Sequence, residues 1–461
     1  MIVANNLSGL TEVFLGNESI AQVYYGSHLV WPIEPPSIPM KLMFTTDEDE
    51  EFSFDCTHQG TILPNIYAPQ PNYVLTSSEV LDLCYDNGAN EKSFTSITIG
   101  DCVTEISNYA FKLNNTVGGK DFQSLRNIQH ITIGNSVTEL GEEVFCPVGA
   151  TYWLNLTGIT LSNNLQTIGK NAFIGRRSVR NFTFPNSLVT IGEGAFANCV
   201  SAKFSFNSSI ETIGKNAFLN CVSMKNITIP NSTTSLGESA FQNCSGATTL
   251  SIGGGIRTIS ANTFNGCSSL KRIDIPNNVL NINENAFTNC TSASALTIGS
   301  GCKTIGNSAF TLNTSLKTVT MGDKVIRLGN SAFKGCGSLE SIRLSEGLNT
   351  VEYDCFYGCN SLREITFPDS VYELGSSLFY QNYSITSITI GSGVEIIGGN
   401  YGIYGCTSFT CKATTPPTLN GTLDFRDGVD YKIFVPSESL DDYKNANQWS
   451  NYADHIFPIT E

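Results

Sequence analysis

The sequence predicts a mainly β solenoid of about 13 coils, each of about 23 residues, with a small β-rich N-terminal part and a short C-terminal cap containing a helix. Three observations predict it: a phenylalanine that recurs at a fixed interval, a period-two apolar block within each interval, and a proline or glycine that ends most blocks. A unit this short does not bury its own apolar side chains, so units must stack to form a core. The phenylalanines lie 22 or 23 residues apart and are Phe173, Phe196, Phe218, Phe241, Phe264, Phe287, Phe310, Phe333, Phe356 and Phe379.

The same series extends beyond these ten residues in both directions. Phe111 and Phe145 belong to it, but the gaps of 34 and 28 residues that follow them predict insertions of about 11 and 5 residues in two early coils. Ile403 takes the place of phenylalanine one last time. The repeat therefore covers about residues 94–411.

Each unit contains a strand, a turn and a second short extended piece. Leu270, Ile273 and Ile275 are spaced as in a strand with one buried face. Pro276 ends that strand because proline has no N–H for the ladder. The second extended piece follows, and a Gly-x-x-Ala-Phe turn such as 306–310 leads to the next coil.

Composition and charge exclude several classes of function. The 461 residues carry 26 Lys and Arg against 41 Asp and Glu, a formal net charge of −15. This balance argues against a generic nucleic-acid binder and against attraction to anionic lipid. The sequence has no apolar run of membrane-spanning length. Its first residues have no basic segment before an apolar core, so no secretory signal is expected.

The repeat units resemble the BspA-like leucine-rich repeats. The resemblance rests on SLKRIDIPNNVLNINENAFTNC at 269–290 and SLREITFPDSVYELGSSLF at 361–379, and it recurs in every unit. It implies a right-handed, curved leucine-rich-repeat solenoid used for adhesion or recognition, without an active site. Residues 411–419 and 431–459 resemble the tail that closes many such arrays.

Eight of the fifteen cysteines occupy one column of the repeat, three residues after the phenylalanine or Ile403. Asparagine takes this column at 114, 313 and 382, and both residue types are compact and can hydrogen-bond a turn backbone. A ladder of buried, reduced thiols is the first interpretation. Disulfides between neighbouring coils are the alternative, although parallel side chains suit the required dihedral poorly. No C-x-x-C pair or histidine cluster predicts a metal site, and no cofactor is expected. The eight are Cys199, Cys221, Cys244, Cys267, Cys290, Cys336, Cys359 and Cys406.

Residues 1–35 are predicted to form a docking segment. Val13–Leu15 and Ala21–Tyr25 are expected to be strands joined by a turn at Gly16-Asn17, and a proline-rich linker begins at Pro32. Residues 10–35 resemble N-terminal segments of tail and other virion proteins of phages that infect Bacteroidetes-type hosts, which implies attachment to other virion proteins. The residues expected to dock are Val13, Phe14, Leu15, Val23, Tyr24, Tyr25 and Trp31.

Residues 36–93 do not follow the repeat and are predicted to form a small β-rich spacer or N-terminal cap. Asp47, Asp49 and Glu51 have the spacing of some calcium loops, but Phe52 stands where glycine is wanted and no distal glutamate follows. A solvated acidic turn is the favoured interpretation, with calcium as the alternative.

Residues 412–461 are predicted to cover the last coil. Ser437 is expected to cap a helix over Glu438–Asn447. Leu440 and Tyr443 lie three apart on one face of it and are expected to pack on the array.

The exposed face of the strands is the candidate binding surface. Threonine dominates it, which strand propensity alone explains in large part; a hydroxyl-lined face for carbohydrate or protein is the functional alternative. Charge is concentrated around Arg272, Asp274, Arg343 and Glu364. The candidate ligand-binding residues are Thr228, Arg272, Asp274, Thr297, Thr320, Arg343 and Glu364.

Three functions compete. The first is a non-enzymatic virion component on a phage tail or capsid, whose solenoid contacts a host cell-surface protein or glycan. The second is a bacterial or protist cell-surface adhesin. The third is a surface-polysaccharide depolymerase, disfavoured because no nucleotide, zinc or serine-hydrolase motif occurs and because Asp274 and Glu364 are about four coils, roughly 19 Å, apart.

Overall fold

The computed structural model describes residues 94–111, 127–146, 155–426 and 428–460, together with the backbone of six strands before residue 94. It confirms the predicted fold class: a mainly β, parallel solenoid of about 13 turns with few helices. By their internal contacts the residues divide into two compact units, Met1–Leu165 and Gln166–Glu461. The domain boundaries proposed at 35, 93 and 411 stay predictions.

In the first unit, an antiparallel pair of strands precedes the first coils. Met40–Thr46 pairs antiparallel with both Glu51–Asp55 and Phe94–Ile99, and Phe94–Ile99 continues in parallel with His130–Ile133. The added strands thus satisfy the edge of the first long strand. The other strands of the coils in this unit are Tyr73–Leu75, Val103–Ile106, Glu139–Leu140 and Gly158–Thr160.

The N-terminal segment forms a three-stranded antiparallel sheet of Leu10–Glu12, Gln22–Tyr25 and His28–Pro32. Gln22–Tyr25 matches the predicted second strand, whereas the strand that includes Trp31 was not predicted. Val13, Phe14 and Leu15 lie outside the described residues, as do Asp47 and Asp49 of the acidic run.

In the second unit each coil contributes one long and one short strand, and most strands of neighbouring coils pair in register. Asp274 lies beside Thr297, and Asn281 beside Thr304. The long strands are Asn181–Thr183, Lys203–Ser205, Asn226–Ile229, Thr249–Ile252, Arg272–Ile275, Ala295–Ile298, Thr318–Thr320, Ser341–Arg343, Glu364–Thr366, Ser387–Ile390 and Ser408–Cys411. The short strands are Thr167–Ile168, Thr190–Ile191, Thr212–Ile213, Ser235–Leu236, Thr258–Ile259, Asn281–Ile282, Thr304–Ile305, Arg327–Leu328, Thr350–Val351, Glu373–Leu374, Ile396–Ile397 and Thr418–Leu419.

The repeat phenylalanines form the centre of the core. From Phe173 to Phe379 every ring is fully buried, and neighbouring rings stack with centroids 5.0–5.9 Å apart. At the end of the series Ile403 is buried as predicted, but the ring that contacts Phe379 is that of Tyr401. The 22- or 23-residue interval is therefore the spacing that keeps one aromatic column in contact.

The cysteine column consists of buried, free thiols. In seven coils the thiol Sγ donates to the carbonyl oxygen of the repeat phenylalanine one coil earlier, at 3.2–3.4 Å. Cys406 bonds the carbonyl of Ser408 instead. Asn313, which occupies the same column, accepts from the Cys290 backbone N–H at 2.8 Å. The cysteines and Asn313 therefore bond backbone as predicted, whereas the buried Asn382 amide has no hydrogen-bond partner among the described residues. Cys102, outside this column, is disulfide-bonded.

In the coils from Phe173 to Phe379, the positions two residues before and two residues after the phenylalanine adopt the left-handed conformation. Asn216 and Asn220, for example, have φ of 55° and 60°. Asparagine tolerates this region better than most residues. Its side chain also links coils, because Asn220 donates to Asn198 at 2.8 Å and Asn243 donates to Asn220 at 2.9 Å.

The C-terminal cap contains the strands Lys432–Val435 and Ile456–Pro458, the α-helix Leu440–Asn445, and 3₁₀ turns at Ser437–Ser439 and Trp449–His455. The predicted helix is therefore shorter than expected. Ser437 does not cap it, since its hydroxyl bonds the carbonyl of Ile459.

Two aromatic residues fix the cap to the preceding chain. The Tyr443 hydroxyl donates to the carbonyl of Ala413 at 2.8 Å, and the Trp449 indole N–H donates to that of Pro417 at 2.7 Å. Both side chains are fully buried. Tyr443 therefore packs on the array as predicted, whereas Leu440 is only half-buried.

Substituting glycine by alanine should separate close backbone packing from open space. A Cβ at Gly301 would overlap the carbonyl oxygen of Asn277, whereas a Cβ at Gly337 meets nothing within 4 Å. Neither residue has a left-handed φ. We expect Gly301→Ala to lower the free energy of unfolding by about 1–3 kcal/mol. We expect Gly337→Ala to leave it unchanged or to raise it by less than about 1 kcal/mol. Urea unfolding of the two variants measures the difference; equal losses would contradict it.

Candidate functional site

The structure exposes the candidate residues of the strand face, except for the half-buried Thr297, and divides them among three hydrogen-bonded sheets. Arg272, Asp274, Thr297, Thr320 and Arg343 lie on consecutive strands of one four-stranded sheet. Thr228 belongs to a separate two-stranded sheet, and Glu364 to a five-stranded sheet.

Three of the four charges of this face are paired with nearby side chains. Arg272 Nε donates to both carboxylate oxygens of Asp274 at 2.8 and 2.7 Å, and its Nη2 donates to Thr297 at 3.1 Å. The Arg343 guanidinium pairs with Asp323 at 3.0 Å. A ligand would have to displace these partners, so the concentration of charge seen in the sequence does not amount to an unpaired binding patch.

A concave site lies on the turns of the last coils. Two neighbouring columns of the repeat line a concave site with a volume of about 600 Å³. This volume is within the range of small-ligand sites. We call it the tyrosine groove. Its lining residues are Asp354, Tyr357, Ser377, Tyr380, Asn400, Tyr404, Asp424 and Phe425.

The aromatic column of the tyrosine groove takes the position one residue after the repeat phenylalanine or Ile403. The rings of Tyr357 and Tyr380 stack with centroids 5.5 Å apart, and Tyr404 meets Tyr380 edge-on at 6.0 Å. Tyr383, which is 65% exposed, stacks on Tyr404 at 5.9 Å. The coil spacing thus sets the ring spacing.

The polar column uses left-handed turn positions, which for Asp354 and Ser377 lie two residues before the repeat phenylalanine and for Asn400 three residues before Ile403. Asp354, Ser377, Asn400 and Asp424 all have φ between 54° and 57°, so each projects its side chain from an equivalent backbone geometry. Asp354 pairs with Lys334 at 2.8 Å. Asp424 accepts from the Thr422 hydroxyl and belongs to no ion pair within the described part of the chain.

Both ends of the groove are held by neighbouring side chains. The Lys334 ammonium lies 4.3 Å from the Tyr357 ring centroid, a cation–π contact that orients the ring. Phe425 stacks on Tyr431 at 3.8 Å, and Tyr431 stacks on His455 at 4.1 Å. The groove is therefore largely formed before any ligand arrives, which lowers the ordering cost of binding.

The electrostatics of the groove favour the neutral form of the Tyr404 hydroxyl. Burial and the neighbouring Tyr380 raise the pKa of Tyr404. Its phenol is a hydrogen-bonding group, with no tendency to ionise near neutral pH. The arrangement offers aromatic side chains beside hydroxyl, amide and carboxylate groups, which suits binding.

These residues are not among those predicted from the sequence, although the sequence contains a signal for them. No tyrosine occurs between Tyr152 and Tyr353, across most of the repeats, and seven occur from Tyr353 to Tyr404. Reading the column one residue after the phenylalanine shows the change: earlier coils carry Gln242, Asn265 and Thr288, and the last carry the three tyrosines.

A family model described as "BspA type Leucine rich repeat region (6 copies)" matches the chain in overlapping segments at residues 84–146, 113–221, 147–248, 200–317 and 281–410. Together these segments cover more than half of the chain. The protein belongs to this family. No curated protein sequence matches this BspA-type chain significantly.

Solved structures similar to this BspA-type protein are leucine-rich repeat proteins. One from Bacteroides ovatus is 23% identical with a TM-score of 0.51, and the match covers 80% of this chain and 95% of that one. A leucine-rich cell surface protein from Faecalibacterium prausnitzii is 19% identical with a TM-score of 0.40, covering 79% and 93%. The pneumococcal vaccine antigen PcpA is also 19% identical with a TM-score of 0.40, covering 78% and 85%. The first of these similarities supports the leucine-rich-repeat fold.

Within the described ranges no three His, Cys, Asp or Glu side chains cluster as a metal site would require, and Glu51 of the acidic run lies in the strand Glu51–Asp55.

No helix among the described residues has the length and apolar character to cross a membrane. Of the docking residues, Val23, Tyr24, Tyr25 and Trp31 lie in paired strands, and their binding role stays a prediction.

Proposed function

We propose that this BspA-type protein is a non-enzymatic recognition protein that adheres to a surface component through the tyrosine groove. The observation that carries the proposal is the groove itself: side chains from four successive turns converge on one concave, exposed surface. Interfaces are enriched in tyrosine because it offers a large contact area and a polar hydroxyl at low entropic cost.

The chemistry of the site favours binding over catalysis. Asp354 and Asp424 are three coils apart, roughly 14 Å at the spacing of a parallel ladder, whereas glycosidase carboxylates stand about 5–9.5 Å apart. Asp354 is also paired with Lys334. The column thiols are poor nucleophiles, because burial raises the pKa of Cys199, Cys267 and Cys336 to about 12.

For the place of display we propose a phage particle, with attachment of residues 1–35 to other virion proteins; display on a bacterial or protist cell surface is the alternative. The virion proposal rests on the resemblance of residues 10–35 and on the strands Gln22–Tyr25 and His28–Pro32. The family match and the similar structures do not address it. Mass spectrometry of purified particles should find the chain at a fixed copy number, and deletion of residues 1–35 should release it.

Binding to intact cells tests the proposed function. We expect fluorescently labelled full-length protein to bind a subset of a panel of bacterial and epithelial cells, and heat-unfolded protein to bind none selectively. The surface polysaccharide recovered afterwards should keep its chain length. Absence of binding across the panel would contradict an adhesive role, and shortened polysaccharide would establish the depolymerase alternative.

A further inference from the structure

We infer that Asn420 is a site of spontaneous deamidation, at which the folded protein converts an asparagine to aspartate and isoaspartate without an enzyme. The inference is independent of the proposed recognition function. It concerns the Asn-Gly pair 420–421, which directly follows the last short strand, Thr418–Leu419.

The reaction is an attack of the backbone on the asparagine side chain. The backbone nitrogen of the next residue loses its proton and bonds the side-chain carbonyl carbon Cγ, which closes a five-membered succinimide ring, and the side-chain amide leaves as ammonia. Water then opens the ring at either of its carbonyls and gives aspartate or isoaspartate. Water is the only co-reactant. Glycine favours the attack because it has no Cβ to crowd the approach.

The local sequence does not by itself select Asn420. Asn-Gly pairs occur at 87–88, 265–266 and 420–421, and the first of them lies outside the described residues. The other two contain the same reacting groups, so the fold has to account for any large difference in their rates of conversion.

The pair at 265–266 is restrained by hydrogen bonds at both reacting groups. The Gly266 N–H, whose nitrogen would attack, donates to the carbonyl oxygen of Thr288 in the next coil at 2.8 Å. The Asn265 side-chain amide donates to Oδ1 of Asn262 at 3.1 Å. Both bonds must break before the ring closes, so conversion of Asn265 should be slow in the folded protein.

The pair at 420–421 has neither restraint. Asn420 is exposed, and within the described part of the chain neither its side-chain amide nor the Gly421 N–H makes a hydrogen bond. The backbone N–H of Asn420 donates to the carbonyl of Ile397 at 2.9 Å, which leaves its side chain unbonded. The attack on Asn420 therefore breaks no hydrogen bond.

Packing retains the glycine that makes this pair reactive. A Cβ at Gly421 would lie 2.7 Å from the Cα of Gly399, so a larger residue does not fit unless the turn shifts. The strand before the pair, Thr418–Leu419, is also the last of its eight-stranded sheet. The reactive pair is thus a consequence of how the array ends.

Deamidation would change the charge of a second concave surface. Asn420 lines a site of about 400 Å³ together with Glu352, Tyr353 and Glu373. The reaction adds a carboxylate to a surface that already carries two, and isoaspartate also lengthens the backbone beside the bond to Ile397. An aged molecule would therefore be more acidic at this surface than a newly made one.

Timed incubation of the full-length protein tests the inference. The folded protein is kept at physiological temperature and slightly alkaline pH and is then digested with trypsin. Mass spectrometry reads the two pairs in separate peptides, 413–426 for Asn420 and 258–271 for Asn265, and fragmentation locates the changed residue. We expect Asn420 to convert at least tenfold faster than Asn265, with the aspartate and isoaspartate peptides separating on chromatography. A sample digested at the start gives the background.

The same incubation in concentrated urea is the matched control, because it removes the fold and leaves both sequences intact; there the two pairs should convert at similar rates. Asn420→Gln should show no conversion at this position, because its longer side chain does not form the five-membered ring. Three results would overturn the inference. These are an unmodified Asn420 in the folded protein, equal conversion of Asn420 and Asn265 in the folded protein, and an equally large difference between them in urea, which would assign it to the flanking sequence.

Discussion

Replacing Phe287 by alanine is expected to lower the free energy of unfolding by about 3–5 kcal/mol, the usual loss for a fully buried aromatic residue. The ring is 0% exposed and stacks on Phe264 at 5.0 Å and on Phe310 at 5.4 Å. Its removal leaves a cavity between two rings whose positions are fixed by the backbone ladder, so the neighbours relax only partly. Urea unfolding measures the loss.

The damage should also be local. In a stacked array each coil contacts only its neighbours, so stability is close to a sum of coil and interface contributions. Hydrogen exchange should therefore rise most in residues 264–310 and least near residues 166–190. Tyr372→Ala, a half-exposed aromatic in the same unit, is the control and should be nearly neutral. A uniform rise in exchange across the unit would contradict the one-dimensional picture.

Alkaline pH should unfold the array because of its thiol column. Burial raises the pKa of Cys199, Cys267 and Cys336 from 9.0 to about 12. Between these values the unfolded chain loses protons that the folded chain keeps, so the stability present below pH 9 is lost as pH rises toward 12. At the full slope, three such thiols cost roughly 4 kcal/mol per pH unit.

The contribution of one thiol can be isolated by substitution. In Cys267→Ser the hydroxyl keeps a donor for the Phe241 carbonyl, which Cys267 bonds at 3.3 Å, but it does not titrate in this range. Lysine and tyrosine titrations are common to both proteins, so the urea midpoint of the variant should fall less steeply between pH 9 and 11. Parallel pH profiles would show that the buried thiol does not set the slope.

Most of the fold follows from the sequence because the same pattern of buried residues and turns recurs in every coil. Phe264 and Phe287 differ in their neighbours along the chain but lie in equivalent turns, and the alternation of Ile273 and Ile275 fixes which face is buried. The predictions that were wrong concern features that occur only once in the chain. Ser437 bonds the carbonyl of Ile459, a partner 22 residues away, and no local pattern announces that competition with helix capping.

The candidate site was predicted less well for a physical reason. Exposure of Arg272 and Arg343 follows from strand alternation, but whether a charge is free depends on neighbours in other coils, such as Asp323, that pair with it. The tyrosine groove needs two columns to be read together, at the positions of Tyr380 and Ser377. Only the turn geometry, with Ser377 at φ of 57°, brings them to one surface.

The coil-to-coil ladder has a consequence for inheritance. In Gln166–Glu461 most of the long strands pair in register with those of adjacent coils, so an in-frame exchange between two repeats adds or removes a whole coil and keeps the coil length of the array. The tyrosine groove lies in the last coils, next to the cap. Recombination upstream of residue 354 can therefore change the length of the array without altering the residues of the tyrosine groove.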